Sequence, residues 1–275
     1  MNQIKHIIYT SDLELHDYFP GYKGELVSAL DSRSAVYIGT GIAAQNKETV
    51  VVILKSSNAS RSAFSGMTEA YYRNLPIILI TVGRELDYSV ELNDVVNSHY
   101  IVSSWKEIEE ITDLVLPAHI ELDVQDKVNH IKASSIFKYL KGATSAGDYL
   151  YVSQNVSLDA NGFNCKVING GTKNCLEGAL SNVLGASLAK KRRRYIGVVT
   201  EDEFFHDMNT LGNININDSL VYFVLCARKN ELISNYAKTL GFYASCLDVN
   251  EISEKDIQRV LNNQKKSVIV VFGRK

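Results

Sequence analysis

The chain has 275 residues, of which 45% are hydrophobic and 22% are charged, an ordinary composition for a globular protein of one large or two average domains. The net charge of −2 provides no overall field for nucleic acid or an anionic membrane, so we expect neither as a partner. No apolar run approaches the roughly 18–20 residues that cross a bilayer, and the N-terminus lacks a signal peptide's long apolar region. We therefore expect a cytoplasmic protein.

The first half of the sequence predicts alternating strands and helices. The predicted strands are 5–10, 49–54, 77–81 and 99–102, and a helix-like pattern covers 35–44. A polar loop, KSSNAS at 55–60, follows the second of these strands, at the end where open α/β sheets bind ligands. Its hydroxyls and backbone amides suit a phosphate, although serine and asparagine are equally common as turn and cap residues.

The second half repeats the alternation of strands and helices. Its predicted strands are 149–153, 195–200, 220–225, 242–247 and 267–272, and its predicted helices are 176–189, 230–240 and 254–263. The segment 161–174 is rich in turn residues and predicts a loop. Both halves therefore predict an α/β fold with mostly parallel sheets covered by helices. We place the boundary between two domains, 1–125 and 126–275, where this second series begins.

Two charged segments each leave two interpretations open. KKRRR at 190–194 lies between a helix and a strand, and is either a solvated connection or a site for phosphate or nucleic acid. TEDEFFHD at 200–207 is either an acidic helix N-terminus or a set of oxygen ligands for a divalent metal. His206 has no partner at metal-ligand spacing, which favours a structural role.

The remaining motifs exclude several classes of site. The four cysteines form no CxxC pair, which disfavours zinc and predicts free thiols in a reducing compartment. The sequence contains no GxSxG motif, no P-loop and no GxGxxG motif, so neither a serine hydrolase nor a nucleotide-binding enzyme of those kinds is supported.

Two long stretches nevertheless resemble a known family. DSRSAVYIGTGIAAQNKETVVVILKSSNAS, followed by EAYYRNLPIILITVGR, resembles the pyrimidine-binding domain of thiamine-diphosphate-dependent enzymes. NGGTKNCLEGALSNVLGASLA and YIGVVTEDEFFHDMNTL resemble the family's diphosphate-binding domain, closest to the menaquinone-pathway synthase branch. The resemblance implies a pyrimidine-type domain at 1–125 and a diphosphate-type domain at 126–275, without the family's central domain. It also implies a homodimer or homotetramer with cofactor clefts between subunits.

The same resemblance nominates the site residues. It places around the cofactor Ser56, Ser57, Asn58, Gly170, Gly171, Glu177 and Asp202. Ser32 stands where the family has its activating glutamate, and a serine hydroxyl cannot become an anion near neutral pH. Glu201 stands at the family's magnesium aspartate, and Ala227 replaces its asparagine ligand. Asp202 replaces a glycine close to the diphosphate, which adds bulk and a like charge.

These departures lead to two hypotheses. In the first, the chain is a degenerate family member without the family's catalysis and without a cofactor, and it binds a ligand or partner through the former cofactor cleft. In the second, it is an atypical 2-oxoacid decarboxylase or carboligase that uses thiamine diphosphate and Mg²⁺, with Glu201 as metal ligand. A partner subunit that restores the missing groups, and whether the chain is an enzyme, stay open.

Overall fold

The computed structural model describes residues 4–11, 13, 22–55, 57–82, 99–102, 135–170, 176–190 and 192–273, and gives only the backbone for 57–61 and 99–102. The chain forms two compact units. The first comprises Met1–Val124 together with Asn213–Asn215, and the second comprises Gln125–Gly212 and Ile216–Lys275. The predicted boundary at 125/126 lies outside the described residues and stays a prediction.

The first unit contains a five-stranded parallel sheet. Its strands are β1 (His6–Thr10), β2 (Glu25–Ala29), β3 (Val50–Leu54), β4 (Ile77–Val82) and β5 (His99–Val102), in the order β2-β1-β3-β4-β5. The helices α1 (Ser32–Asn46) and α2 (Ser57–Tyr72) connect β2 to β3 and β3 to β4. The central strand β3, VVVIL, is buried at every position, which explains its continuous β-branched and apolar sequence.

The second unit contains a six-stranded parallel sheet. Its strands are β6 (Tyr149–Ser153), β7 (Lys166–Gly170), β8 (Tyr195–Thr200), β9 (Leu220–Cys226), β10 (Tyr243–Asp248) and β11 (Ser267–Phe272), in the order β10-β11-β9-β8-β6-β7. Its α-helices are α3 (Phe137–Ala143), α4 (Ala179–Ala189), α5 (Glu201–Asp207), α6 (Glu231–Thr239) and α7 (Glu254–Leu261). A 3₁₀ helix, Met208–Gly212, follows α5.

One hydrophobic core of the second unit lies between the sheet and the helices α3 and α7. Ile196, Val198 and Phe223 pack there from β8 and β9, because alternate residues of a strand share one face of the sheet. Leu140 and Ile257 pack against them from the two helices. The α/β fold with two parallel sheets agrees with the sequence prediction.

Most predicted elements differ from the observed ones by one to three residues at an end, and three differences bear on the site. The polar loop predicted at 55–60 is shorter, because α2 already begins at Ser57. Short polar residues are favoured in the first turn of a helix as well as in loops, and composition does not separate the two. The predicted loop 161–174 contains the strand β7, an edge strand that pairs only with β6 and has no fully buried position. The helix α4 begins at Ala179, after Gly178 at φ 76°.

Some predictions fall outside the described residues, including Cys175, Gly171 and Ser56. Within the described part of the chain, Cys165, Cys226 and Cys246 are free thiols. None of the helices found among these residues has the length and apolar character to cross a membrane.

Candidate functional site

Three strands of the second sheet end at one edge with polar residues. β6 ends at Ser153, β8 at Thr200 and β9 at Cys226, and because the strands are parallel their carboxyl ends share this edge. Carboxyl edges of parallel sheets are where α/β folds bind ligands. We name as the carboxyl-edge cluster Ser153, Thr200, Glu201, Glu203, Cys226 and Asn230.

The buried carboxylate of Glu203 organises one half of the cluster. Its Oε2 accepts hydrogen bonds from the backbone N and Oγ1 of Thr200, at 2.7 and 3.0 Å. Thr200 Oγ1 in turn accepts from Glu203 N at 3.3 Å, which completes a capping box at the start of α5. Glu203 Oε1 accepts from Ser153 Oγ, and from Asn155 Nδ2 at 2.6 Å. The Glu203 carboxylate thus accepts four hydrogen bonds from the protein, which indicates a structural role.

Glu201 organises the other half, at the position where the resemblance places a metal ligand. Its Oε1 accepts a hydrogen bond from Asn230 Nδ2 at 2.5 Å. Asn230 Oδ1 accepts from Leu232 N at 3.1 Å, as the N-cap of α6. This second bond fixes the amide so that its NH₂ group, and not its oxygen, faces Glu201.

The thiol of Cys226 lies near Glu201. Burial raises the pKa of Cys226, and the nearby negative charge of Glu201, the proximity of Cys246 and a hydrogen bond to Glu201 raise it further. The thiol is therefore protonated at neutral pH, and its Sγ donates to the backbone oxygen of Val224 at 3.8 Å. A protonated thiol is neither a nucleophile nor a metal ligand.

The other residues predicted around the diphosphate lie near this edge but do not converge on Glu201. Gly170 is the half-buried last residue of β7, and Glu177 is half-buried just before α4. Asp202, which follows Glu201 in α5, is exposed. Ala227, which follows the last residue of β9, is exposed as well. An alanine side chain has no ligand atom, as the sequence predicted.

In the first unit, Ser32 is the half-buried first residue of α1. The adjacent Asp31 is the N-cap, and its carboxylate accepts from Ser34 N at 2.8 Å and from Ser34 Oγ at 3.0 Å. The acid at this helix start thus caps the helix. Ser57 and Asn58 lie in the first turn of α2, and their side chains, like Ser56, are outside what the structure describes.

These residues do not fit the magnesium site that the resemblance implies. The Glu201 carboxylate accepts from the Asn230 amide and lies near a protonated thiol, the oxygen of Asn230 is turned away, and the side chain of Ala227 has no ligand atom. Within the described residues, no group of three or more histidine, cysteine, aspartate or glutamate side chains is placed to hold a metal ion. For TEDEFFHD the structure shows the helix N-terminus, with an exposed His206 in α5.

Sequence reasoning did not nominate Ser153, Cys226 or Asn230 of this cluster, and it considered Glu203 only as part of TEDEFFHD. Asn230 carries a readable signal, because an asparagine followed by an acidic residue and an apolar pattern marks a helix start. Glu203 also carries one, since Thr200 with glutamate three residues later is the capping-box pattern. Neither pattern tells that Asn230 turns its amide toward Glu201.

No family model and no curated protein matches the sequence of this chain. Its fold is similar to that of a thiamine diphosphate-dependent 4-hydroxybenzoylformate decarboxylase from Rhodococcus jostii RHA1, with a TM-score of 0.66 and 9% identity over 98% of this chain and 96% of that one. It is also similar to benzoylformate decarboxylase from Polynucleobacter necessarius, with a TM-score of 0.63 and 10% identity over 99% and 96% of the two chains. At this identity the similarity shows a shared fold.

Proposed function

We propose that the chain is a degenerate member of the thiamine-diphosphate enzyme family that lacks the family's catalysis and binds a ligand or partner through the former cofactor cleft. One observation carries the proposal: the carboxylate of Glu201 already accepts a hydrogen bond from the Asn230 amide, at 2.5 Å. A metal at Glu201 would have to displace this donor, and Ala227 supplies no side-chain oxygen as a further ligand.

Two further features support the proposal. Asp202 places an exposed carboxylate where the resemblance puts a glycine beside the diphosphate, and like charges at close range repel. Ser32 replaces the acid that activates the cofactor in the family, and the neighbouring acid, Asp31, is engaged as a helix cap. Ser32 belongs to the pyrimidine-type domain, and Asp202 and Ala227 belong to the diphosphate-type domain. The changes would therefore affect both ends of the cofactor.

The direct test is calorimetric titration of thiamine diphosphate with Mg²⁺ into the purified full chain. We expect no saturable heat at micromolar concentrations. A matched variant, with Glu201→Asp, Asp202→Gly and Ala227→Asn, restores the family pattern in the second unit alone. It tests whether these three positions restore affinity for thiamine diphosphate and Mg²⁺. Micromolar binding to the unaltered chain that requires Mg²⁺ would contradict the proposal.

The alternative is an atypical thiamine-diphosphate- and Mg²⁺-dependent 2-oxoacid decarboxylase or carboligase resembling the menaquinone-pathway synthase. The similarity of fold to two decarboxylases over nearly the whole chain favours it. It requires Glu201 to leave Asn230 and turn to the metal. Cofactor binding in the titration, followed by release of CO₂ from a 2-oxoacid, would establish it. Titration in the presence of a cell fraction that supplies a partner subunit tests whether a second chain completes the site.

The family resemblance also leads us to propose a cytoplasmic homodimer or homotetramer, without a nucleic-acid or membrane partner. In the family the cofactor cleft forms between subunits, so a chain that keeps the cleft for another ligand needs a second copy. Multi-angle light scattering of the purified chain is the test. A stable monomer at micromolar concentration would contradict the proposed assembly and leave the test with thiamine diphosphate untouched.

A further inference from the structure

A basic pocket opens at the opposite, amino-terminal edge of the second sheet. Its volume is about 780 Å³, which falls in the usual range for small-molecule sites. It is built from the residues that directly precede the strands β6, β8, β9 and β11. Of the residues lining it, only Val221 and Leu261 are apolar. A polar lining of this size suits a polar small molecule better than an apolar one.

The floor of the pocket is fixed by a salt bridge. Arg194 contacts both carboxylate oxygens of Asp148, at 3.0 Å from Nε and 2.5 Å from Nη2, and donates from Nη1 to the backbone oxygen of Leu261 at 2.8 Å. Ser145 N donates to the same carboxylate at 2.7 Å. The charges of Arg194 and Asp148 therefore cancel, and the pair acts as a rigid base that joins β6, β8 and the end of α7.

The mouth of the pocket carries the uncompensated charge. Arg192, Arg193 and Lys265 line it with the single further carboxylate of Asp218, which leaves a surplus of two positive charges. All four are exposed, and within the described residues no salt bridge joins any of the three cations to an acid. The whole chain carries a net charge of −2, so this surplus is local and works against the protein's overall charge.

The guanidinium of Arg193 lies beside the turn that precedes Asp148. A methyl group added to Gly147 would lie 3.0 Å from Arg193 Nη1, so the guanidinium lies over the turn that leads to Asp148. The backbone around it is also held: Arg194 O accepts from Tyr149 N at 3.0 Å, and Ser219 O accepts from Tyr195 N at 3.1 Å. Side-chain amides of Asn262 and Gln264 complete the lining with neutral donors.

We propose that this basic pocket binds a small phosphorylated molecule, with Arg192, Arg193 and Lys265 contacting its phosphate groups. Guanidinium groups bind phosphate oxygens through paired, charge-assisted hydrogen bonds, and a lysine adds a point charge. The limited size of the pocket and the short run of cations suit one or two phosphate groups, whereas a polynucleotide would need a basic surface that extends along its backbone. The pocket is separate from the carboxyl-edge cluster, since it lies at the other end of the same strands.

The test uses inorganic pyrophosphate, orthophosphate and ADP as probes, titrated into the full chain at about 0.15 M NaCl without Mg²⁺. The variant Arg192→Gln/Arg193→Gln removes two guanidinium groups from exposed positions, and Lys255→Gln/Arg259→Gln on α7 makes the same charge change outside the pocket. We expect saturable binding of pyrophosphate or ADP to the natural chain. The pocket variant should weaken it about tenfold or more, and the α7 variant less than about twofold.

The outcomes test phosphate binding at the basic pocket independently of the proposed loss of thiamine-diphosphate catalysis. Pyrophosphate binding that the pocket variant leaves unchanged would place the anion elsewhere and overturn the proposal. So would the absence of saturable binding by all three probes below about 1 mM. Tighter binding of a short single-stranded RNA than of ADP, weakened by the same variant, would overturn it in favour of a polynucleotide. Orthophosphate against ADP distinguishes a free phosphate from a nucleotide, and none of these results depends on thiamine diphosphate.

Discussion

Asn230 and Glu201 meet where β9 and β8 end, with Asn230 Nδ2 2.5 Å from Glu201 Oε1. The same asparagine caps α6 through its oxygen, so the two hydrogen bonds hold the amide in one orientation. A donor faces the carboxylate at the position where a metal ion would need an acceptor. The polar groups of Asn230 and Glu201 therefore bond to each other. A single substitution can replace the donor that faces Glu201 with an acceptor.

Asn230→Asp should convert the pair into two facing carboxylates. The aspartate keeps the helix cap, but like-charge repulsion should lower the unfolding free energy at neutral pH by about 1–2 kcal/mol. Added Mg²⁺ should restore part of that loss, because carboxylate oxygens are the ligands it prefers. Thermal unfolding with and without the metal measures both effects. Asn230→Ser, which keeps a cap without the charge, is the control, and stabilisation of the natural chain by Mg²⁺ would contradict the interpretation of the cluster.

Asp148→Asn should strongly destabilise the second unit. Asp148 and Arg194 are only 6% and 19% exposed, and removal of one partner leaves the other buried charge without compensation. We expect a loss of about 3 kcal/mol in urea unfolding. The exposed pair of Lys5 and Glu48 provides the control.

In that control pair the side chains are 66% and 33% exposed. Glu48→Gln should therefore change stability by less than about 1 kcal/mol. Equal losses for Asp148→Asn and Glu48→Gln would show that the basic pocket lacks the rigid floor that we describe.

Cys226 should make stability depend on pH in alkaline solution. Its folded-state pKa is raised, first by burial and then by Glu201, above the ordinary thiol value of about 8.5. The stability it contributes is therefore fully present below that ordinary value and is lost as the pH rises toward the folded-state pKa. Urea unfolding of the natural chain and of Cys226→Ala between about pH 7 and 10 should show a stability difference that shifts against the natural chain as the pH rises.

Glu201→Gln provides the control for this pH dependence. It removes the nearby negative charge, so it should lower the folded-state pKa of Cys226 and reduce the alkaline loss. Other groups that titrate in this range are common to the compared chains and cancel in the difference. Parallel stability curves for the natural chain and Cys226→Ala would contradict the assignment.

The elements that sequence reasoning predicted best are buried on both faces of a sheet. The strands 149–153, 195–200 and 267–272 were predicted with the bounds that the structure shows, because a strand covered by helices on both sides is a continuous apolar run. β7 was missed because helices do not cover it in this way. It is an edge strand with two exposed and three half-buried residues, so its sequence, KVING, carries turn residues and no apolar run.

The candidate site was harder to predict, because the spacing of residues in the sequence does not tell how their side chains are oriented. The family resemblance brought Glu201 and Ala227 to attention, but the role of Asn230 depends on which atom of its amide faces the carboxylate. The KKRRR run was equally ambiguous. Its last arginine forms a buried salt bridge with Asp148, whereas Arg192 and Arg193 face the pocket, and no composition rule separates neighbouring residues of one type.

Gly66 should be required for the contact between α1 and α2. A methyl group at this position would lie 2.8 Å from Val36 Cγ1 and 3.0 Å from Val36 Cβ. Glycine to alanine within a helix ordinarily gains about 1 kcal/mol, but overpacking of a core costs about 1–3 kcal/mol. We expect Gly66→Ala to lose about 1–2 kcal/mol in urea unfolding, because Val36 is fully buried and has no room to move.

Two variants make the Gly66 prediction specific. Ser65→Ala, one residue earlier in α2, should change stability by no more than about 0.5 kcal/mol. Val36→Ala combined with Gly66→Ala should be less destabilised than the sum of the single variants, since each substitution relieves the defect of the other. Additive losses, or a net gain for Gly66→Ala alone, would show that the two helices are packed more loosely than the distances from Gly66 to Val36 require.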